Sequence, residues 1–150
     1  MKLEFSETFQ QELPNRYLQF LDKHPDGTQI KIKGRYDART WNMMGKEELL
    51  KRWTMDGVGE AANYECLKLY TQVQSEHSED IYAHSAHFGR VKLERVAKGF
   101  VIAHENGDYL YIDPECSFSL WAYYHDGGGI TKVSGSFDKF LKEKSLYKVL

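Results

Sequence analysis

A chain of 150 residues, 41% hydrophobic and 28% charged, is long and apolar enough to close one core and is not composed like a disordered chain. Its 20 basic and 22 acidic residues leave a net charge of −2, without the overall basic excess that nucleic-acid binders carry. Two cysteines make a poor disulfide framework, and no apolar run approaches the roughly 18–20 residues of a membrane span. Glu4 and Glu7 stand where a signal peptide needs an apolar stretch, and no Asn-x-Ser/Thr acceptor occurs, so a reducing cytoplasm is the expected compartment.

In chain order, Pro14 opens a helix whose apolar face is Leu13, Tyr17, Phe20 and Leu21, and Pro25 with Asp26-Gly27 ends it. Residues 28–33 alternate Ile30 and Ile32 with Lys31 and Lys33, the pattern of a half-buried strand, and 41–44 makes a second short one. Residues 46–53 read as a short helix with Glu47 and Glu48 in its first turn, broken by Gly57 and Gly59. Residues 60–77 read as a longer helix, on Ala61, Tyr64, Leu67, Tyr70 and Val73. The polar stretch 75–89 reads as loop. In the last third, strands at 100–103 and 109–112 flank Asn106-Gly107, the strongest short hairpin signal. Strands at 120–124 and 130–133 flank Gly127-Gly128-Gly129, and a closing helix at 136–144 carries Phe137, Phe140 and Leu141. The sum is a single α+β domain over 1–150, an antiparallel or mixed sheet meander flanked by helices.

Few residues suggest chemistry. His77, His84 and His87 are close in sequence but match no zinc motif, and a solvated acid-rich loop is the plainer reading. Cys66 and Cys116 lack any signalled base. His104-Glu105 and His125-Asp126 resemble acid/base pairs, yet neighbours in an extended chain point apart, and both fall at expected turns. Gly127-Gly128-Gly129 lacks the Gly-Lys-Ser/Thr ending of a phosphate loop. The expectation is therefore no enzyme, no metal and no cofactor, with a small hydrolase using His104 or His125 as the weakest alternative.

Charge is unevenly placed. Between Lys98 and Lys132 there is no Lys or Arg, while Glu105, Asp108, Asp113, Glu115 and Asp126 supply five carboxylates. With Trp121 and Tyr124 in the same run, these seven residues form the candidate partner-binding set, an acidic aromatic rim suited to a basic partner. Residues 31–52 hold seven basic residues (Lys31, Lys33, Arg35, Arg39, Lys46, Lys51 and Arg52) against Asp37, Glu47 and Glu48, which reads as the wet faces of strands and helices.

Three segments resemble the SUKH superfamily, which includes bacterial immunity proteins of polymorphic toxin systems and relatives of a fungal cell-wall-assembly regulator. Leu13-Pro14-Asn15-Arg16-Tyr17-Leu18-Gln19-Phe20-Leu21 is similar to its opening helix. Gly99-Phe100-Val101-Ile102-Ala103 with Glu105-Asn106-Gly107-Asp108-Tyr109-Leu110-Tyr111-Ile112-Asp113 is similar to its central hairpin. Trp121 to Tyr124, followed by Gly135-Ser136-Phe137-Asp138-Lys139-Phe140-Leu141, is similar to its last strands and closing helix. Where the family's opening helix leads into an Asn-Gly-Gly turn, this chain reads His24-Pro25-Asp26-Gly27. The resemblance implies an immunity or antitoxin protein that occludes the active site of a cognate toxin, often a nuclease whose cleft is basic because it holds phosphates. The alternative it implies is a regulatory or scaffold interaction module of the cell-wall-regulator type. Neither calls for direct nucleic-acid or membrane contact.

Overall fold

The computed structural model describes residues 12–33, 39–86 and 89–150. Expectations resting on Glu4 and Glu7, on Arg35 and Asp37, and on His87 lie outside them. Helix α1 (Asn15–Lys23) follows Pro14, whose φ of −60° already suits a helical start, and buries Tyr17, Leu18 and Leu21. Strands β1 (Thr28–Ile32) and β2 (Thr40–Met43) pair antiparallel, with Ile30 opposite Trp41.

Helix α2 (Lys46–Leu50) is shorter than the 46–53 expected, because Lys51 turns extended and β3 (Arg52–Met55) pairs with β4 (Gly59–Ala62). The helix expected over 60–77 divides accordingly into β4, a 3-10 turn (Asn63–Glu65) and α3 (Leu67–Glu76). Of the expected apolar face, Ala61 falls in β4, Tyr64 in the 3-10 turn, and Leu67, Tyr70 and Val73 in α3, so only the last three share a helix. The expected loop 75–89 contains β5 (Tyr82–Ser85), paired with β6 (Gly89–Lys92), and α4 (Leu93–Val96) follows.

The last third folds as expected: β7 (Phe100–Glu105), β8 (Asp108–Asp113), β9 (Ser119–Tyr123), β10 (Ile130–Ser134) and α5 (Phe137–Lys142), which Ser136 caps by accepting the Lys139 N–H. A second 3-10 turn (Lys144–Leu146) leads to β11 (Tyr147–Val149), a strand the sequence did not signal. Among the described residues, seven strands form one antiparallel sheet in the order β10-β9-β8-β7-β2-β1-β11, so the protein is α+β. Side chains alternate across it. Phe100, Leu110, Ile112 and Leu120 share the face on which Tyr17 of α1 meets Phe100 at 5.9 Å and Phe137 of α5 at 5.7 Å. Tyr109 and Tyr123 share the opposite face, where Tyr70 of α3 meets both. Among the described residues no helix is long and apolar enough to cross a membrane.

Candidate functional site

The five carboxylates between Lys98 and Lys132 divide between opposite ends of β8. Asp108 starts that strand beside Glu105, and antiparallel pairing of β9 brings the turn with Tyr124 and Asp126 to the same end. Asp113 ends the strand and Glu115 lies in the turn beyond it.

Cations from outside the run offset several of these charges. Arg39 Nη1 lies 3.0 Å from Glu105 and 2.9 Å from Asp108, with its guanidinium over the rings of Trp41 (4.4 Å) and Tyr124 (5.8 Å). Asp108 is buried, which works to raise its pKa, but hydrogen bonds from the His125 backbone and ring and from Arg39 outweigh that and hold it below the usual carboxylate range. Asp113 is buried against Arg95 at 2.8 Å, and Glu115 meets Lys98 at 3.2 Å. Trp121 is buried, with its indole N–H donating to Ser119. What faces outward is therefore Asp126 and part of Glu105 and Tyr124 at one end, and Glu115 at the other.

The residues considered for chemistry are brought into other company. His104 meets Glu48 at 3.0 Å, and His125 meets Asp108 at 2.6 Å, so neither pairs with the carboxylate beside it in sequence. Cys66 is buried, which pushes its thiol up to about 12 and keeps it protonated at neutral pH. His84 pairs with Asp80, and among the described residues no three His, Cys, Asp or Glu gather to hold a metal. Gly127 to Gly129 form the β9–β10 turn, closed by the Gly128 N–H to the Tyr124 carbonyl. In the basic stretch, Lys46 pairs with Asp22 and Arg52 with Glu60 and Glu65.

Sequence reasoning missed a concavity on the other side of this sheet. A cleft of about 1060 Å³ lies between Glu47, Glu48, Leu50 and Lys51 of α2 and its C-cap, Trp53 of β3, Tyr70 of α3 and Tyr109 of β8, with Asp26 and Gly45 at one edge. Gly45 permits close chain approach there, since a Cβ would lie 2.3 Å from the Pro25 carbonyl oxygen. The aromatic wall is fixed by packing and hydrogen bonds. Tyr70 contacts the rings of Trp53, Tyr109 and Tyr123, and its hydroxyl lies 3.0 Å from that of Tyr109. Tyr123 donates to Gln74 at 2.8 Å, and Gln74 donates to the Gly128 carbonyl. Burial raises the pKa of Tyr109 and pushes that of Tyr123 up to about 12, so both phenols stay neutral. Asn63 donates to the Glu48 carbonyl at 2.7 Å and ties α2 to the 3-10 turn. Only the β3–β4 pairing brings Trp53 opposite Tyr70, and a reading that ran α2 through residue 53 could not find it.

Cleft and acidic turn lie at the same end of the hairpin but on opposite faces of the sheet: Tyr109 follows Asp108 in β8, and His104, which holds Glu48, precedes Glu105 in β7. The cleft itself combines half-buried rings with carboxylates, a composition suited to a protein partner. Comparison with protein families matches residues 3–143 to the SMI1 / KNR4 family (SUKH-1). No curated protein and no solved structure matches the chain. The match spans all three segments quoted from the sequence, and the chain belongs to the SMI1 / KNR4 family (SUKH-1), a membership that supports an immunity or regulatory role exercised through protein interaction.

Proposed function

We propose that this chain is an immunity protein that acts as one domain in the cytoplasm, binding a cognate toxin domain and covering its active site without turnover or cofactor. A nuclease fits best as the toxin, because a cleft built for phosphates is basic and an acidic aromatic surface complements it. The observation that carries the reading is that the acidic turns and the aromatic cleft lie at the same end of β8, on its two faces. On this reading Glu105, Tyr124 and Asp126 touch the partner, Asp108 holds their turns together, and the cleft extends the contact. Glu115, with Asp113 and Trp121 behind it, serves the far end of β8.

The test is co-expression with the product of the neighbouring gene, assayed as a nuclease. The expected result is a one-to-one complex in which nuclease activity falls in proportion to the amount of this protein added. A toxin that neither co-purifies nor loses activity at molar excess would overturn the reading. Capture of several unrelated host proteins in its place would favour the regulatory alternative.

A further inference from the structure

We infer that the cleft between α2, β3, α3 and β8 seats an arginine side chain carried on a basic segment of the partner protein. This deepens the immunity reading and rests on it for the partner's identity, though not for the chemistry of the seat.

The cleft is lined by three half-buried rings, Trp53, Tyr70 and Tyr109, and by three exposed carboxylates, Asp26, Glu47 and Glu48. Lys51 is the cation among its lining residues and His104 meets Glu48 at 3.0 Å, which leaves Asp26 and Glu47 to keep the rim negative. Phosphate groups and other anions are disfavoured there. A purely apolar ligand would use the rings and leave the carboxylates idle. A guanidinium uses both, because its plane stacks on aromatic faces while its edge donates paired hydrogen bonds to a carboxylate. An ammonium has no plane to stack and is more strongly hydrated, so lysine is the poorer occupant. The volume of about 1060 Å³ exceeds one side chain and leaves room for the residues that flank it.

The same molecule already accommodates a guanidinium in this way. Arg39 lies 4.4 Å over the Trp41 ring and 5.8 Å from that of Tyr124 while it pairs with Glu105 and Asp108. Arg90 lies 4.0 Å over Tyr82. The cleft offers rings and carboxylates in a comparable set, and no described arginine lines it. Its aromatic wall is also held in place beforehand: the hydroxyls of Tyr70 and Tyr109 meet at 3.0 Å, so an incoming side chain finds its stacking surface formed.

The experiment titrates the whole protein with four acetylated, amidated pentapeptides of sequence Gly-Leu-X-Leu-Gly, where X is arginine, lysine, citrulline or norleucine. Binding is followed at the Trp53 indole N–H by nuclear magnetic resonance. Citrulline keeps the shape of arginine and removes its charge. The arginine peptide is expected to bind at least tenfold more tightly than the citrulline peptide, with lysine between them. The double variant Glu47→Gln/Glu48→Gln, at exposed positions of which Glu48 also meets His104, is expected to erase that difference and to leave the citrulline peptide unchanged. Equal binding of all four peptides, or no change at Trp53 with any of them, would overturn the inference. A second arm uses the product of the neighbouring gene. Failure of the wild type to bind it sinks the immunity reading and leaves the peptide result to decide the seat. A complex that forms equally well with the double variant sinks the seat and leaves the immunity reading standing.

Discussion

Oδ1 of Asp108 lies 2.6 Å from Nδ1 of His125 and accepts the backbone N–H of the same residue at 2.9 Å. One carboxylate thus ties the β9–β10 turn to the β7–β8 turn, while its other oxygen accepts from Arg39 at 2.9 Å. Burial works to raise the pKa of Asp108, and these hydrogen bonds reverse that and leave it lowered. A carboxyl lowered in the folded state binds protons more readily once unfolded. Its contribution is therefore complete above the ordinary value of about 4 and is lost as the pH falls through the folded value. Asp108→Asn should cost about 1–3 kcal/mol at neutral pH, the price of leaving its partners imperfectly paired. The gap between wild type and variant should narrow as the pH drops below about 4. Urea unfolding at pH 7 and at pH 3 measures both effects, and a gap that stays constant with pH would exclude the linkage.

The hairpin turn beside it demands its glycine. Asn106 has φ of +46° and Gly107 of +84°, the left-handed pair of a two-residue connection between Glu105 and Asp108. A Cβ at Gly107 would also approach Nδ1 of His125 to 3.1 Å. Gly107→Val should destabilise by about 1–3 kcal/mol through backbone strain, whereas Asn106→Gly should be tolerated. Thermal unfolding of the two variants separates them, and an unshifted midpoint for Gly107→Val would contradict the turn geometry.

The closing helix is core. Phe140 is 2% exposed and stacks on Phe137 at 6.0 Å and on Tyr147 at 5.2 Å, so it joins α5 to the edge strand β11. Phe140→Ala should cost roughly 3–5 kcal/mol. Loss of stability with the partner still bound by the folded fraction is the expected result. A stable variant that no longer binds would make α5 an interface instead.

The meander could be read from the sequence because its signals are local: Asn106-Gly107 fixes one turn, Gly127-Gly128-Gly129 marks another, and apolar runs lie on both sides. The closing helix was legible for the same reason, through Phe137, Phe140 and Leu141 on one stripe. The middle of the chain was not. Strand β4 is Gly59–Ala62, short and without a β-branched residue, and only pairing with Arg52–Met55 makes it a strand. Strands β5 and β6 carry Tyr82, Ala83, His84 and Ser85 against Gly89, Arg90, Val91 and Lys92, too polar to announce a sheet. Strand β11 pairs with β1, Val149 opposite Ile30 and Tyr147 opposite Ile32, a contact between segments far apart in the sequence. The charge of the acidic run was legible, but its compensation by Arg39, Arg95 and Lys98 was not, because all three lie outside the run.

If the acidic turn steers a basic partner, position should matter more than net charge. Asp126→Lys and Glu115→Lys change the total charge by the same amount, yet the two residues flank opposite ends of β8 and β9. Five to six residues of strand separate them, roughly 17–20 Å at the usual rise. The Debye length is about 10 Å at 0.1 M salt, so a charge at Glu115 is largely screened from an encounter centred on Asp126. Asp126 is also exposed, whereas Asp108 beneath it holds the turns and is left intact in this comparison. Asp126→Lys should slow association with the toxin domain by about fivefold, the rate equivalent of roughly 1 kcal/mol between charges at close range in water. Its dissociation rate should change less, because steering acts on encounter. Glu115→Lys should leave association nearly unchanged at 0.1 M salt and should begin to matter at 0.01 M, where the Debye length is about 30 Å. Stopped-flow or surface-binding rates at the two salt concentrations give all four values. Equal slowing by the two variants at 0.1 M would mean that overall charge governs the encounter, and unchanged rates for both would place the interface away from either end of the meander.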